Sequence, residues 1–187
     1  PSATVTGGTT VCKNDASPNV VFTNTSPLAV RIRYRINGGT IQTINNVAAG
    51  VSVNVSAPTT TAGTFTYSVY DVRYWDNTPG CTATPTSTTD IIVRETPTAS
   101  ISGTISVCQG VASPNVTFTN AIALPITITY NINGGAPQTI NVGASTTASV
   151  AAPTGTAGTF NYNLVSVVYQ TAPSCTNTIT GTATITV

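Results

Sequence analysis

The chain has 187 residues, of which only 6% are charged, with no histidine and no methionine; ordinary soluble domains carry roughly 25% charge. A formal net charge of +1 gives no field to steer nucleic acid or an anionic membrane, so neither is an expected partner. Hydrophobic residues at 40% exclude intrinsic disorder, which couples low hydropathy to high net charge, so threonine, serine and asparagine must coat the surface.

The predicted elements are all strands. The first lies near residues 3–6 and the second near 19–24. Residues 30–36 then alternate strictly, with Val30, Ile32, Tyr34 and Ile36 on one face and Arg31, Arg33 and Arg35 on the other, the period of a half-buried strand. Asn37-Gly38-Gly39 supplies residues that tolerate positive φ, and with Ile41 and Ile44 beyond it marks a hairpin. Further strands follow near 51–55, 64–74 and 87–94. In the 64–74 strand Phe65, Tyr67 and Val69 point one way, but the next apolar residues, Val72 and Tyr74, keep the opposite parity. A β-bulge near Asp71, and near Ser166 further along, reconciles the two registers.

The same module is then written again. Cys12, Ser17-Pro18-Asn19, Phe22-Thr23-Asn24 and Asn37-Gly38-Gly39 recur 96 residues later as Cys108, Ser113-Pro114-Asn115, Phe118-Thr119-Asn120 and Asn133-Gly134-Gly135. Cys81 returns as Cys175. The second copy keeps the inward set of the alternating strand as Ile126, Ile128, Tyr130 and Ile132, and replaces the arginines with Thr127, Thr129 and Asn131. A period near 95 exceeds that of solenoid repeats and fits tandem domains, 1–96 and 97–187. Seven or so short strands per copy, with turn signals between them, predict two tandem immunoglobulin-like β-sandwich domains in an all-β chain. The short proline-containing join at Glu95-Thr96-Pro97-Thr98 reads as semi-rigid, which favours domains set end to end.

The second copy contains no Asp, Glu, Lys, Arg or His. Proton transfer, metal ligation and nucleophile activation mostly rely on such groups, so no enzyme, cofactor or repeated metal site is expected. The chain begins at Pro1 without a charged-then-apolar leader and holds no apolar run long enough to span a bilayer, so it reads as a segment of a longer polypeptide that does not insert into the membrane.

Two cysteines per copy allow three pairings, and the duplication favours Cys12–Cys81 and Cys108–Cys175, each closing a loop worth roughly 4 kcal/mol on the chain-entropy account. Such staples imply an oxidising, extracellular location. The alternative is four free thiols; zinc is disfavoured by the absence of C-x-x-C and of histidine.

The strings Pro97-Thr98-Ala99-Ser100-Ile101-Ser102-Gly103, Val107-Cys108-Gln109, Ser113-Pro114-Asn115-Val116-Thr117-Phe118 and Ala152-Pro153-Thr154-Gly155-Thr156-Ala157-Gly158-Thr159-Phe160 resemble repeats of giant Bacteroidota surface adhesins. These are of the gliding-adhesin type, exported by type IX secretion. The resemblance covers both copies and implies a cell-surface, repeat-built, adhesin-like protein whose partners are adjacent repeats of its own polypeptide. It supplies no catalytic residues.

The sharpest local feature is the row Arg31, Arg33 and Arg35, which the sandwich should set beside Tyr70, Arg73 and Trp75. Arginine next to exposed aromatics can grip an acidic surface glycan or a partner by forked hydrogen bonds and stacking. The plainer alternative is a solvated face, with arginine paired to Asp71, Asp76 or Asp90. Sequons occur at Asn24, Asn54 and Asn115, as chance allows in so threonine- and asparagine-rich a chain. The missing edge charges also admit a different assembly, a filament or sheath subunit whose strands dock between like chains.

Overall fold

A computed structural model describes residues 1–76 and 80–187, which divide into two compact units, Pro1–Glu95 and Thr96–Val187. All elements among the described residues are strands.

In the first unit the strands are β1 (Ala3–Thr6), β2 (Thr9–Cys12), β3 (Asn19–Asn24), β4 (Val30–Ile36), β5 (Gln42–Val47), β6 (Ser52–Ser56), β7 (Gly63–Tyr74), β8 (Thr82–Ala83) and β9 (Thr88–Arg94). One sheet runs β1-β3-β6 and the other β2-β9-β7-β4-β5, with β8 paired to β7. The second unit repeats this with β10 (Ser100–Ser102), β11 (Ile105–Ser106), β12 (Asn115–Thr119), β13 (Ile126–Ile132), β14 (Gln138–Val142), β15 (Thr147–Ala151), β16 (Thr159–Tyr169), β17 (Thr176–Thr178) and β18 (Thr182–Thr186). Its sheets run β10-β12-β15 and β11-β18-β16-β13-β14, with β17 on β16. Each unit is thus an immunoglobulin-like sandwich.

The cores follow from the alternation. In β4 the residues Val30, Ile32 and Tyr34 are buried and the arginines between them are partly exposed. Phe22, Tyr34 and Tyr67 stack through the first core, with ring centroids 4.5 and 6.3 Å apart; Phe118, Tyr130 and Tyr162 do the same in the second at 4.8 and 6.3 Å. Offset aromatic packing adds roughly 0.5–1.5 kcal/mol per pair beyond area burial. The bulge lies where the parity of the sequence breaks. Arg33 pairs with Asp71 but Tyr34 with Val69, leaving Tyr70 as the extra residue, and Thr129 and Tyr130 straddle Val165 in the same way. The asparagine-glycine turn is also present: Asn37 and Gly38 have φ of 50 and 68°, and the Gly39 amide donates to the Ile36 carbonyl.

Strand β2 and its counterpart β11 have no forerunner in the sequence reading. The edge of each sandwich changes sheets at a glycine, so that β1 pairs with β3 while β2 runs parallel to β9. Gly7 sits at φ 97°, and a Cβ there would lie 2.5 Å from the Asn19 carbonyl oxygen; Gly103 repeats this at φ 113° against Asn115. Only glycine allows the backbones to come so close with this dihedral.

A buried asparagine locks the corner after β3. Asn24, fully buried, donates through Nδ2 to the carbonyls of Leu28, Val47 and Ala48, and its Oδ1 accepts from the Ser26 amide. Asn120 makes the equivalent bonds to Leu124, Gly143 and Ile122. The sequon at Asn24 is therefore closed to modification in the folded chain.

The cysteine pairing expected from the repeat is not the one observed. Cys12 and Cys175 are disulfide-bonded, whereas Cys81 and Cys108 are exposed free thiols. The register explains why neither expected bridge forms. Cys12 pairs at the level of Arg94, next to Val93 opposite Gly63, while Cys81 adjoins Thr82 opposite Arg73. Those levels are ten residue steps apart along β7, roughly 30 Å at about 3.3 Å per residue, and a disulfide needs Cα atoms within about 7 Å. Cys108 and Cys175 are separated likewise along β16, since Val107 bonds to Thr186 opposite Thr159, and Cys175 bonds to Tyr169. The duplication relates equivalent positions only; the topology puts the two cysteines of each unit at opposite ends.

Candidate functional site

The arginine row does meet its expected neighbours. Strand β4 lies against β7, which sets Arg31 opposite Arg73, Arg33 opposite Asp71 and Arg35 opposite Ser68. Two arginines directly across a ladder repel each other, and a single carboxylate offsets that. The bulge puts Asp71 on the arginine face, where it is only 5% exposed. It accepts from Arg33 Nε at 2.7 Å and from Arg33 Nη2, a forked charge-assisted pair. These bonds, with Arg31 and Arg73 nearby, hold the Asp71 carboxyl below its ordinary range against the opposing effect of burial.

The bulged Tyr70 is 40% exposed and lies under the next arginine. The Arg35 guanidinium carbon is 4.3 Å from the Tyr70 ring centroid and that of Arg33 is 5.4 Å away, within cation–π range. Arg33 and Arg35 are thus largely taken up by neighbours. Asp90, offered from the sequence as a further arginine partner, instead accepts from the Thr66 hydroxyl at 2.6 Å.

Arg31 and Arg73, with Tyr74 and Trp75, line an open surface cleft of about 120 Å³. Trp75 is 41% exposed, and the Arg31 Nε is screened from solvent with no hydrogen-bond partner among the described residues. The cleft lies at the end where the chain enters the unit, because the Trp75 amide donates to Ala29 just before β4. Chemically it offers cationic donors beside an indole, a setting for a carboxylate or sulfate on a ring-shaped ligand. The second unit carries the same backbone without that chemistry: Thr127, Thr129 and Asn131 replace the arginines, and Val165, Ser166, Val168 and Gln170 replace Tyr70, Asp71, Arg73 and Trp75.

The cysteines form the other set. The turns after Cys12 and Cys108 are built alike: Asn14 and Gly110 take positive φ and donate their amides to Thr59 and Thr154, whose hydroxyls bond back to Asp15 and Val111. In each unit this turn lies at the end where the chain leaves, beside Arg94 or Thr186, and the loop cysteine lies at the end where the chain enters.

No protein-family model matches this chain, and no curated protein sequence is similar to it. Solved structures similar to it include the BSP domain of a biofilm associated protein, at 14% identity and TM-score 0.33, where the match covers 98% of this chain and 29% of that one. The chain therefore spans less than a third of that protein. The human OSCAR ligand-binding domain is similar at 14% identity and TM-score 0.39, covering 99% of this chain and 96% of that one. The D0-D1 domain of intimin is similar at 15% identity and TM-score 0.32, covering 100% and 98%.

Proposed function

We propose that this chain is a non-catalytic, extracellular structural module that bears tension in the stalk of a surface adhesin. One observation carries the reading: within each unit the chain enters at one end of the sandwich and leaves at the other, and the second strand runs parallel to the last. Strand β2 pairs in parallel with β9, and β11 with β18. Pulling the two ends of a unit slides these strands past each other, so their hydrogen bonds lie across the load and are strained together instead of opening in turn. The bonded Cys12 and Cys175 support an oxidising compartment, and a surface coated with Thr, Ser and Asn keeps its shape independent of salt.

Force spectroscopy on the chain, tethered at its termini after reduction, tests this. The Lys13 amide donates to Arg94, so by strand alternation the Val11 amide also faces β9. Val11→Pro removes that donor and should lower the unfolding force of the first unit below that of the second. Equal forces for the two units would refute the shear reading.

A second reading has its own observation, the Arg31–Arg73–Trp75 cleft, in which the Arg31 Nε has no partner among the described residues. Here the first unit binds an acidic glycan. Arg31→Ala combined with Trp75→Ala should abolish retention on a uronate-rich polysaccharide column, whereas Arg33→Ala, already engaged by Asp71, should weaken it less. Retention unchanged by the double substitution removes this reading.

A further inference from the structure

The four cysteines occupy two structural positions, each represented twice. Cys12 and Cys108 are the turn cysteines, at the exit end of their units; Cys81 and Cys175 are the loop cysteines, at the entry end. One of each kind is disulfide-bonded, Cys12 and Cys175, and one of each kind is an exposed free thiol, Cys108 and Cys81. The bonded turn cysteine is at the exit end of the first unit and the bonded loop cysteine at the entry end of the second. The free thiols are at the two remaining ends, entry of the first unit and exit of the second. Each free position therefore has a counterpart on the same backbone that is already engaged in disulfide chemistry.

We infer that Cys108 and Cys81 are complementary half-bridges, and that Cys108 of one chain bonds Cys81 of a second copy, joining copies head to tail. This rests on the oxidising location argued above. The oxidant is a small disulfide such as oxidised glutathione. The Cys108 thiolate attacks it, forming a mixed disulfide and releasing one small thiol. The Cys81 thiolate of the second chain then displaces the other. Two protein thiols lose two electrons and two protons, and the small disulfide is reduced to two thiols. No charged side chain opposes the approach from the Cys108 side, because the second unit contains no Asp, Glu, Lys, Arg or His.

The test uses the 187-residue chain as Cys81→Ser and Cys108→Ser single variants, isostructural changes at exposed positions. Each variant is incubated with oxidised and reduced glutathione, alone and mixed one to one, with one of the two labelled with nitrogen-15. The products are read by non-reducing electrophoresis and by mass mapping of the linked peptides. The unsubstituted chain should give a ladder of multimers. Neither variant alone should pass the monomer, and the mixture should stop at a dimer linked Cys108 to Cys81 across the isotope boundary. Homodimers of either variant at comparable yield, an intramolecular Cys81–Cys108 link in the unsubstituted chain, or thiols that stay reduced throughout would each overturn the inference. Failure here leaves the shear geometry of each unit to be judged by its own pulling experiment.

Discussion

Replacing Asn24 with alanine should unfold the first unit selectively, and the size of the effect can be worked from its bonds. The side chain is fully buried and makes four hydrogen bonds, three from Nδ2 to the carbonyls of Leu28, Val47 and Ala48 and one to the Ser26 amide. A net bond is worth about 1 kcal/mol, and a buried group stranded without its partner costs about 1–3 kcal/mol. The two protons of Nδ2 serve three carbonyls, so those bonds are not additive, and the loss should be about 3–4 kcal/mol. With a urea m-value near 1 kcal/mol/M for a unit this small, the midpoint should fall by about 3 M. The chain carries its own reporter, because Trp75 is the sole tryptophan and lies in the first unit. Asn24→Ala should move the fluorescence transition. Asn120→Ala, whose side chain makes three such bonds, should move only the circular-dichroism signal of the second unit. A fluorescence midpoint shifted by less than about 1 M, or shifted as much by Asn120→Ala, would refute the assignment of these asparagines as corner locks.

Acid should weaken the first unit more than the second. Asp71 is held below its ordinary value of 3.8 in the folded state, chiefly by the Arg33 hydrogen bonds. Its contribution is complete above that value and is lost as pH falls through the lowered one. The fluorescence midpoint measured from pH 7 to pH 2 should therefore drop at the acid end, and Asp71→Asn should flatten that drop. Gly7→Ala and Gly103→Ala should each destabilise their own unit by about 2 kcal/mol or more, through a forced left-handed dihedral and a Cβ against a carbonyl oxygen. Gly38→Ala, in open space at φ 68°, should cost about 1 kcal/mol; urea midpoints rank the three.

Much of the sandwich was legible because a strand with one buried face writes a period of two. The 30–36 segment shows it directly, and the break in parity at Asp71 located the bulge to within one residue. Strand β2 was hidden for a physical reason. It is four residues long, Thr9–Cys12, and only partly buried, so its sequence carries no alternation, and the glycine that delivers it resembles any loop glycine. The arginine face was legible as a row, but its division into engaged and available members was not. That depends on Asp71 being carried onto the arginine face opposite Arg33, a consequence of the bulge. The burial of Asn24 was unreadable as well, since its partners come from carbonyls as far as 24 residues away. The cysteines failed for a topological reason: symmetry indicates which positions correspond, and only the register shows which end of the sandwich each one occupies.

Unit 1 writes arginine and tyrosine at the outward positions of β4 and β7, and tryptophan just after β7, where unit 2 writes threonine, asparagine, valine and glutamine, and the ladder register is the same in both. Fold and surface are thereby decoupled along these two strands. A lineage can rewrite what such a face presents to the world, one repeat at a time, while the scaffold beneath it stays untouched.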